Sequence, residues 1–148
     1  MLTFKLPIAH TFPHRVHHLL PQTEFIQRIR AGSKLHEITP KFSLWQERLH
    51  KIDRGEARLV LFEWRGPDNH SQPRALMVLN HTDNIGIQPL SFDDHHLSQP
   101  RLTNGNSIDL TVLAHNNGLT PSEFYRWFKY HRIEQEHAIV HFTPFRYL

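Results

Sequence analysis

The sequence predicts an α+β domain whose sheet is short-stranded, curved or barrel-like, with helices packed outside it. Three observations predict this. Strand-like and helix-like segments are interspersed, the strands are short, and several of them are joined by hairpin signals rather than by long crossovers. A chain of 148 residues buries roughly 68–70% of its unfolded surface on folding, enough for one core across residues 1–148 read as a single domain.

The elements follow in chain order. Leu2 to Leu6 alternates as a strand, and Pro7 to Leu20 is a loop rich in proline and histidine. Thr23 stands where an N-cap belongs before the apolar stripe Phe25, Ile26 and Ile29, and Gly32 ends that helix. Lys34 to Ile38 is a short strand stopped by Thr39-Pro40. Ser43 to Gln46 has the form of a capping box, so a second helix carries Trp45, Leu49 and Ile52 on one face and stops at Gly55. Ala57 to Trp64 is the strongest strand, apolar on both faces at its centre, and Ala75 to Leu79 returns beside it after the turn Gly66-Pro67-Asp68-Asn69. Ile85 to Leu90 is a strand, Phe92 to Gln99 a polar loop, and Asn104-Gly105 a tight hairpin turn. Ser107 caps a helix from Ile108 to His115. Thr120-Pro121-Ser122-Glu123 opens another with N-cap, N1 proline and capping-box glutamate, its core face Phe124, Trp127 and Phe128. His137 to Phe142 is the last strand.

Composition excludes several classes of function. Cysteine is absent, so there is no disulfide framework, thiolate metal site or cysteine nucleophile. No apolar run approaches the ~20 residues of a membrane span, and the first residues, Met1 to Pro7, lack a signal-peptide pattern. A cytoplasmic protein with no membrane association is expected. The formal charge is +3, with ten Lys/Arg against five Asp/Glu up to Val60 and seven against nine beyond it. That asymmetry is compatible with a face for polyanions. Arg28, Arg30, Lys34, Lys41 and Arg48 supply cations and Trp45 a ring for stacking, the usual arrangement for single strands. The apolar helix face that carries Trp45 also suits it to the core. The fourteen histidines include His14-x-x-His17-His18 and Asp93-Asp94-His95-His96. Neither has a closed metal-site spacing, so they read as surface histidines; no metal and no cofactor is expected.

Ordered motifs run through nearly the whole chain. They are Phe25-Ile26-x-x-Ile29-x-x-Gly32-x-Lys34-Leu35-His36, then Leu44-Trp45-x-x-Arg48, and Leu59-Val60-Leu61-Phe62-Glu63-Trp64-x-Gly66. Asp83-Asn84-Ile85-Gly86-Ile87-Gln88, Leu113-Ala114-x-Asn116-Asn117-Gly118-Leu119 and His141-Phe142-Thr143-x-Phe145-Arg146-Tyr147 complete the series. The series resembles small bacterial and prophage proteins related to ASCH domains. The resemblance implies a PUA-like β-barrel flanked by helices, with a cleft near Gly32-x-Lys34 that binds single-stranded RNA or a modified nucleoside. One similar bacterial branch hydrolyses N4-acetylcytidine with a lysine, a threonine three residues later and a glutamate before the penultimate helix. Those positions fall on Lys34, Glu37 and Asn117, and an arginine of the pattern becomes Thr39. Only the lysine survives, so the hydroxyl nucleophile and its carboxylate partner are missing.

The expected function is therefore a module binding RNA or a nucleotide-like ligand through Lys34, His36, Arg48, Asn117, His141, Arg146 and Tyr147. The alternatives are an amidohydrolase on an acylated nucleoside, with Lys34 and Glu37 as its candidate catalytic pair, and a prophage-derived protein-interaction domain. Lys34 and Glu37, three apart on a strand, are expected on opposite faces. His141 alternates with Val140 and Phe142 and points to a cleft or to solvent; Arg146 and Tyr147 line a ligand site or pin the tail.

Overall fold

The computed structural model describes residues 1–9, 23–65, 72–92, 97, 99–102, 104–129 and 135–148. The two histidine clusters and the turn at 66–69 lie outside them. In chain order the elements are β1 (Leu2–Pro7), α1 (Phe25–Arg30), β2 (His36–Pro40), α2 (Phe42–Asp53), β3 (Ala57–Arg65) and β4 (Gln72–Leu79). After a 3-10 turn at His81–Asp83 come β5 (Gly86–Phe92), β6 (Pro100–Leu102), α3 (Leu110–Asn116), α4 (Pro121–Phe128) and β7 (His137–His141).

The α+β composition agrees with the sequence, but the barrel is overturned. The strands form two open sheets, one ordered β1-β3-β4 and the other β2-β7-β5-β6, and no described strand pairing joins them. Hairpin signals reveal which neighbours pair and not whether a ladder closes. The β3–β4 hairpin forms as expected, with a register shift at Leu61/Phe62. On its other side β3 takes β1 as a parallel partner, from Leu2↔Ala57 to Pro7↔Phe62. In the second sheet β7 is central, antiparallel to both β2 and β5. Helix α2 touches β3 of one sheet and β5 and β7 of the other, so Trp45 and Ile52 cover apolar faces that a barrel would have turned inward. One buried cluster contains Leu59 and Leu61, Leu90 and Ile139, Trp45 and Ile52, and Phe124 and Phe128.

Capping explains where some helices begin and corrects others. Thr120 and Glu123 form the full reciprocal box at α4: Thr120 Oγ1 accepts from Glu123 N–H and Glu123 Oε1 accepts from Thr120 N–H. Ser43 does not cap α2. Lys41 takes the N-cap position in the left-handed region (φ 68°) without a side-chain bond. Asp109, not Ser107, caps α3 by accepting from Val112 N–H. Thr23 sits one residue before the N-cap of α1, where its hydroxyl donates to Ala9 C=O and accepts from Phe25 N–H. No described helix is long and apolar enough to cross a membrane.

Candidate functional site

The site grows from the end of β2. Lys34 precedes that strand instead of lying in it, so the period-two rule that would have separated it from Glu37 does not apply. Its side chain turns inward, fully buried, and Nζ reaches Glu37 Oε2 at 3.3 Å. Nζ also donates to the Asn117 backbone carbonyl at 2.7 Å and faces Asn117 Oδ1 at 3.4 Å, above the Phe25 ring at 4.1 Å. Asn117 is placed by the turn that ends α3. Gly118, at φ +84°, must be glycine there: a Cβ would stand 3.0 Å from Phe25 Cδ1 and 3.2 Å from Lys34 Cδ.

On β2 and β7 the register sets His36 directly opposite His141, their rings edge-on at 5.4 Å. His36 Nδ1 meets Asn117 Oδ1 at 3.1 Å and Nε2 meets the Tyr147 hydroxyl at 2.6 Å. Asn116 Nδ2 donates to the same hydroxyl oxygen at 3.2 Å. Gln88, on β5, clamps the tail: its Nε2 donates to Tyr147 C=O (2.8 Å) and its Oε1 accepts from Tyr147 N–H (2.9 Å). Because Oε1 is thereby the acceptor, His141 Nε2, at 2.8 Å from it, must carry a proton. His141 Nδ1 is then a bare acceptor, buried and without a hydrogen-bond partner among the described residues.

Electrostatics follow from burial. Desolvation lowers the Lys34 pKa, opposed by the attraction of Glu37, and desolvation raises the Glu37 pKa, opposed by Lys34. Burial favours a neutral pair and mutual attraction an ionic one; either way the pair carries no net charge. Burial, with His141 and Lys34 nearby, holds His36 well below the ordinary histidine value. Burial and the Arg146 charge bring His141 down to about 3. Burial pushes the Tyr147 phenol up to about 12.

Six of the expected residues thus converge: Lys34, His36, Glu37, Asn117, His141 and Tyr147. Arg146 borders them through His141 but spends its donors on backbone carbonyls, those of Thr143 (2.5 Å) and Phe145 (2.6 Å) in the tail and that of Asn84 (2.6 Å) just before β5. Arg48 does not join them; it stands on α2 with its guanidinium 4.7 Å from the Trp45 ring and 5.2 Å from Phe4. Trp45 is core and offers no stacking platform. Sequence reasoning missed Gln88, Asn116 and Phe145 as site residues. The available signal was Gln88, a polar residue on the face of β5 that also carries Gly86, Leu90 and Phe92.

The guanidinium of Arg146 lies directly over Gly86, where a Cβ would come within 2.1 Å of Nε. Gly86→Ala should therefore expel Arg146 from its carbonyl cradle and lower stability by about 2 kcal/mol, read as a shift in the urea midpoint. Adding Gly86→Ala to Arg146→Ala should cost almost nothing more; a full additive loss would show that the arginine is not what the methyl meets.

Among the described residues no three His, Asp or Glu side chains gather as a metal ion requires. A cleft of about 310 Å³ is lined by residues that include Arg28, Ser33, Thr111, His115 and Leu119; none of the six lines it. Family models, curated proteins and solved structures were compared with the chain, and none matches.

Proposed function

We propose that the protein binds a nucleobase-bearing ligand, a modified nucleoside free or unpaired in RNA, at the Lys34–His36–Asn117–Tyr147 cluster. One observation carries this reading. An exposed aromatic ring, Phe145, meets the half-buried Tyr147 at right angles, 4.9 Å between centroids, beside a charge-balanced set of amide, imidazole and carboxylate groups. A planar, neutral ligand with donors and acceptors on its edge suits such a place: its face stacks on the exposed ring and its edge pairs with the polar groups. Phosphate suits it less, because Lys34 is buried and already matched by Glu37. Binding is therefore expected to depend on stacking more than on counter-ion release.

Equilibrium dialysis with cytidine and N4-acetylcytidine tests this. Saturable binding should change by less than about twofold between low and moderate salt, and Phe145→Ala should weaken it about tenfold. Because Phe145 is exposed, that variant should keep its melting temperature. Absence of binding to either nucleoside, or affinity that falls steeply with salt and ignores Phe145, would sink the reading.

A further inference from the structure

The cleft of about 310 Å³ stands apart from the Lys34–His36–Asn117–Tyr147 cluster, since none of those four side chains lines it. Three parts of the chain build it: the segment after α1, one face of α3 and the start of α4. From α3 come Thr111 and His115, four residues apart and so on one face of the helix. Ser33 follows α1, and Thr120 and Pro121 open α4. Leu119 and the Pro121 ring give the cleft an apolar wall.

Its cation is Arg28. Nη1 donates to Gly118 C=O at 2.5 Å, a bond across 90 positions that holds the guanidinium at the cleft. Nη2 faces Glu24 Oε2 at 3.4 Å, but the two side chains are 35% and 65% exposed, and such a surface pair is worth little. A guanidinium carries more N–H groups than these two contacts use, so donors remain for a further acceptor. The hydroxyls offer donors too. Thr120 Oγ1 already accepts from Glu123 N–H, which leaves its own proton to donate. Ser33 Oγ gives its proton to Arg28 C=O over 3.3 Å at the surface, a weak bond that a charged acceptor can replace. No described lining residue is acidic.

We infer that this cleft binds a small apolar carboxylic acid, with its carboxylate at Arg28 among the Ser33 and Thr120 hydroxyls and its hydrocarbon body against Leu119 and Pro121. Charge selects the head group. Arg28 is the fixed cation among the described lining residues and balances a single negative charge, whereas a phosphate monoester brings roughly two. A planar carboxylate also matches the planar guanidinium through two parallel bonds. Size selects the body. The volume of about 310 Å³ is at the low end of the ~300–1,000 Å³ of ligand pockets, which suits an acid of the size of phenylacetate.

Titrating the isotope-labelled protein with phenylacetate, read by amide chemical shifts, tests this. The shifts should saturate and centre on Ser33, His115 and Leu119, while His36 and Tyr147 do not move. Phenylacetamide, the neutral isostere, should bind at least about tenfold more weakly, and Arg28→Gln should weaken phenylacetate binding by as much, since each removes a charge-assisted pair. Because Arg28 also holds Gly118, a second variant leaves that bond in place. Thr111→Trp, at an exposed position of α3, fills the cleft and should abolish the shifts without lowering the melting temperature. Phe145→Ala should leave phenylacetate binding as it is, which separates this cleft from the nucleoside site. No saturable shift in the cleft, phenylacetamide binding as tightly as phenylacetate, or phenyl phosphate binding more tightly, would overturn the assignment.

Discussion

Taking the protein from neutral pH to about pH 5 should cost about 4 kcal/mol of folding stability, through His36 and His141. Both rings are buried and neutral in the folded state, and both carry folded pKa values lowered by burial, that of His141 to about 3. In the unfolded chain each returns to the ordinary value of 6.5. Below that value the unfolded chain binds protons that the folded state refuses, so stability is fully present above pH 6.5 and drains away as the pH falls toward the folded values. The slope is about 1.4 kcal/mol per pH unit for each histidine, or about 2 kcal/mol each at pH 5. The groups facing these rings reinforce the effect: Arg146 repels a proton on His141, and Lys34 and His141 repel one on His36. Glu37 acts oppositely, because burial raises its pKa and lets the folded state take up a proton that the unfolded chain does not, which offsets part of the loss. Urea midpoints at several pH values measure the curve. His141→Gln should roughly halve the slope, and a midpoint unchanged between pH 7 and 5 would mean that neither ring is buried as described.

Much of the secondary structure was legible in the sequence because it is decided locally. The α4 capping box, the β3–β4 hairpin and the short strand from His137 follow from side chains within a few residues of one another, and all three form. What was not legible is non-local. Nothing in Leu2 to Pro7 shows that this strand lies parallel to Ala57–Phe62, and the assignment of β1 and β7 to different sheets turns on which strand reaches which edge. The barrel expectation failed there. Local polar residues also offered more caps than the backbone used: Ser43 and Ser107 were chemically suited, but Lys41 and Asp109 hold the positions the chain geometry requires.

The site was legible as a set of residues and not as a set of partners. Lys34, His36, Glu37, Asn117, His141 and Tyr147 all stand out in the sequence, yet strand periodicity sets Lys34 and Glu37 on opposite faces. The error was one of boundary: β2 begins at His36, and a residue just outside a strand is free to turn back under it. The Tyr147–His36 contact spans 111 positions and depends on Gln88 clamping the tail, so no spacing in the sequence could announce it. Arg48 went astray for the opposite reason, since its cationic character suited a polyanion surface equally well from any exposed helix.

Replacing Lys34 by methionine should destabilise the protein by about 3 kcal/mol or more at neutral pH, because it leaves Glu37 buried without its counter-charge. The lysine side chain is wholly buried and that of Glu37 is 11% exposed, so solvent can screen little of the loss. The Asn117 carbonyl also loses its 2.7 Å donor, adding an unsatisfied acceptor. Two further measurements separate these causes. Lys34→Met combined with Glu37→Leu removes both charges and should recover most of the loss, since a buried pair is worth little against well-packed apolar replacements. The single variant should also approach the stability of the native protein as pH falls, because protonating Glu37 discharges it; the native protein over the same range loses stability through its histidines. A Lys34→Met protein as stable as the native one, or a double variant no better than the single, would show that Glu37 does not depend on this lysine. Asn117 would then be the residue that keeps Lys34 in place, and the cluster would have to be understood around the Tyr147–His36–Asn117 line alone.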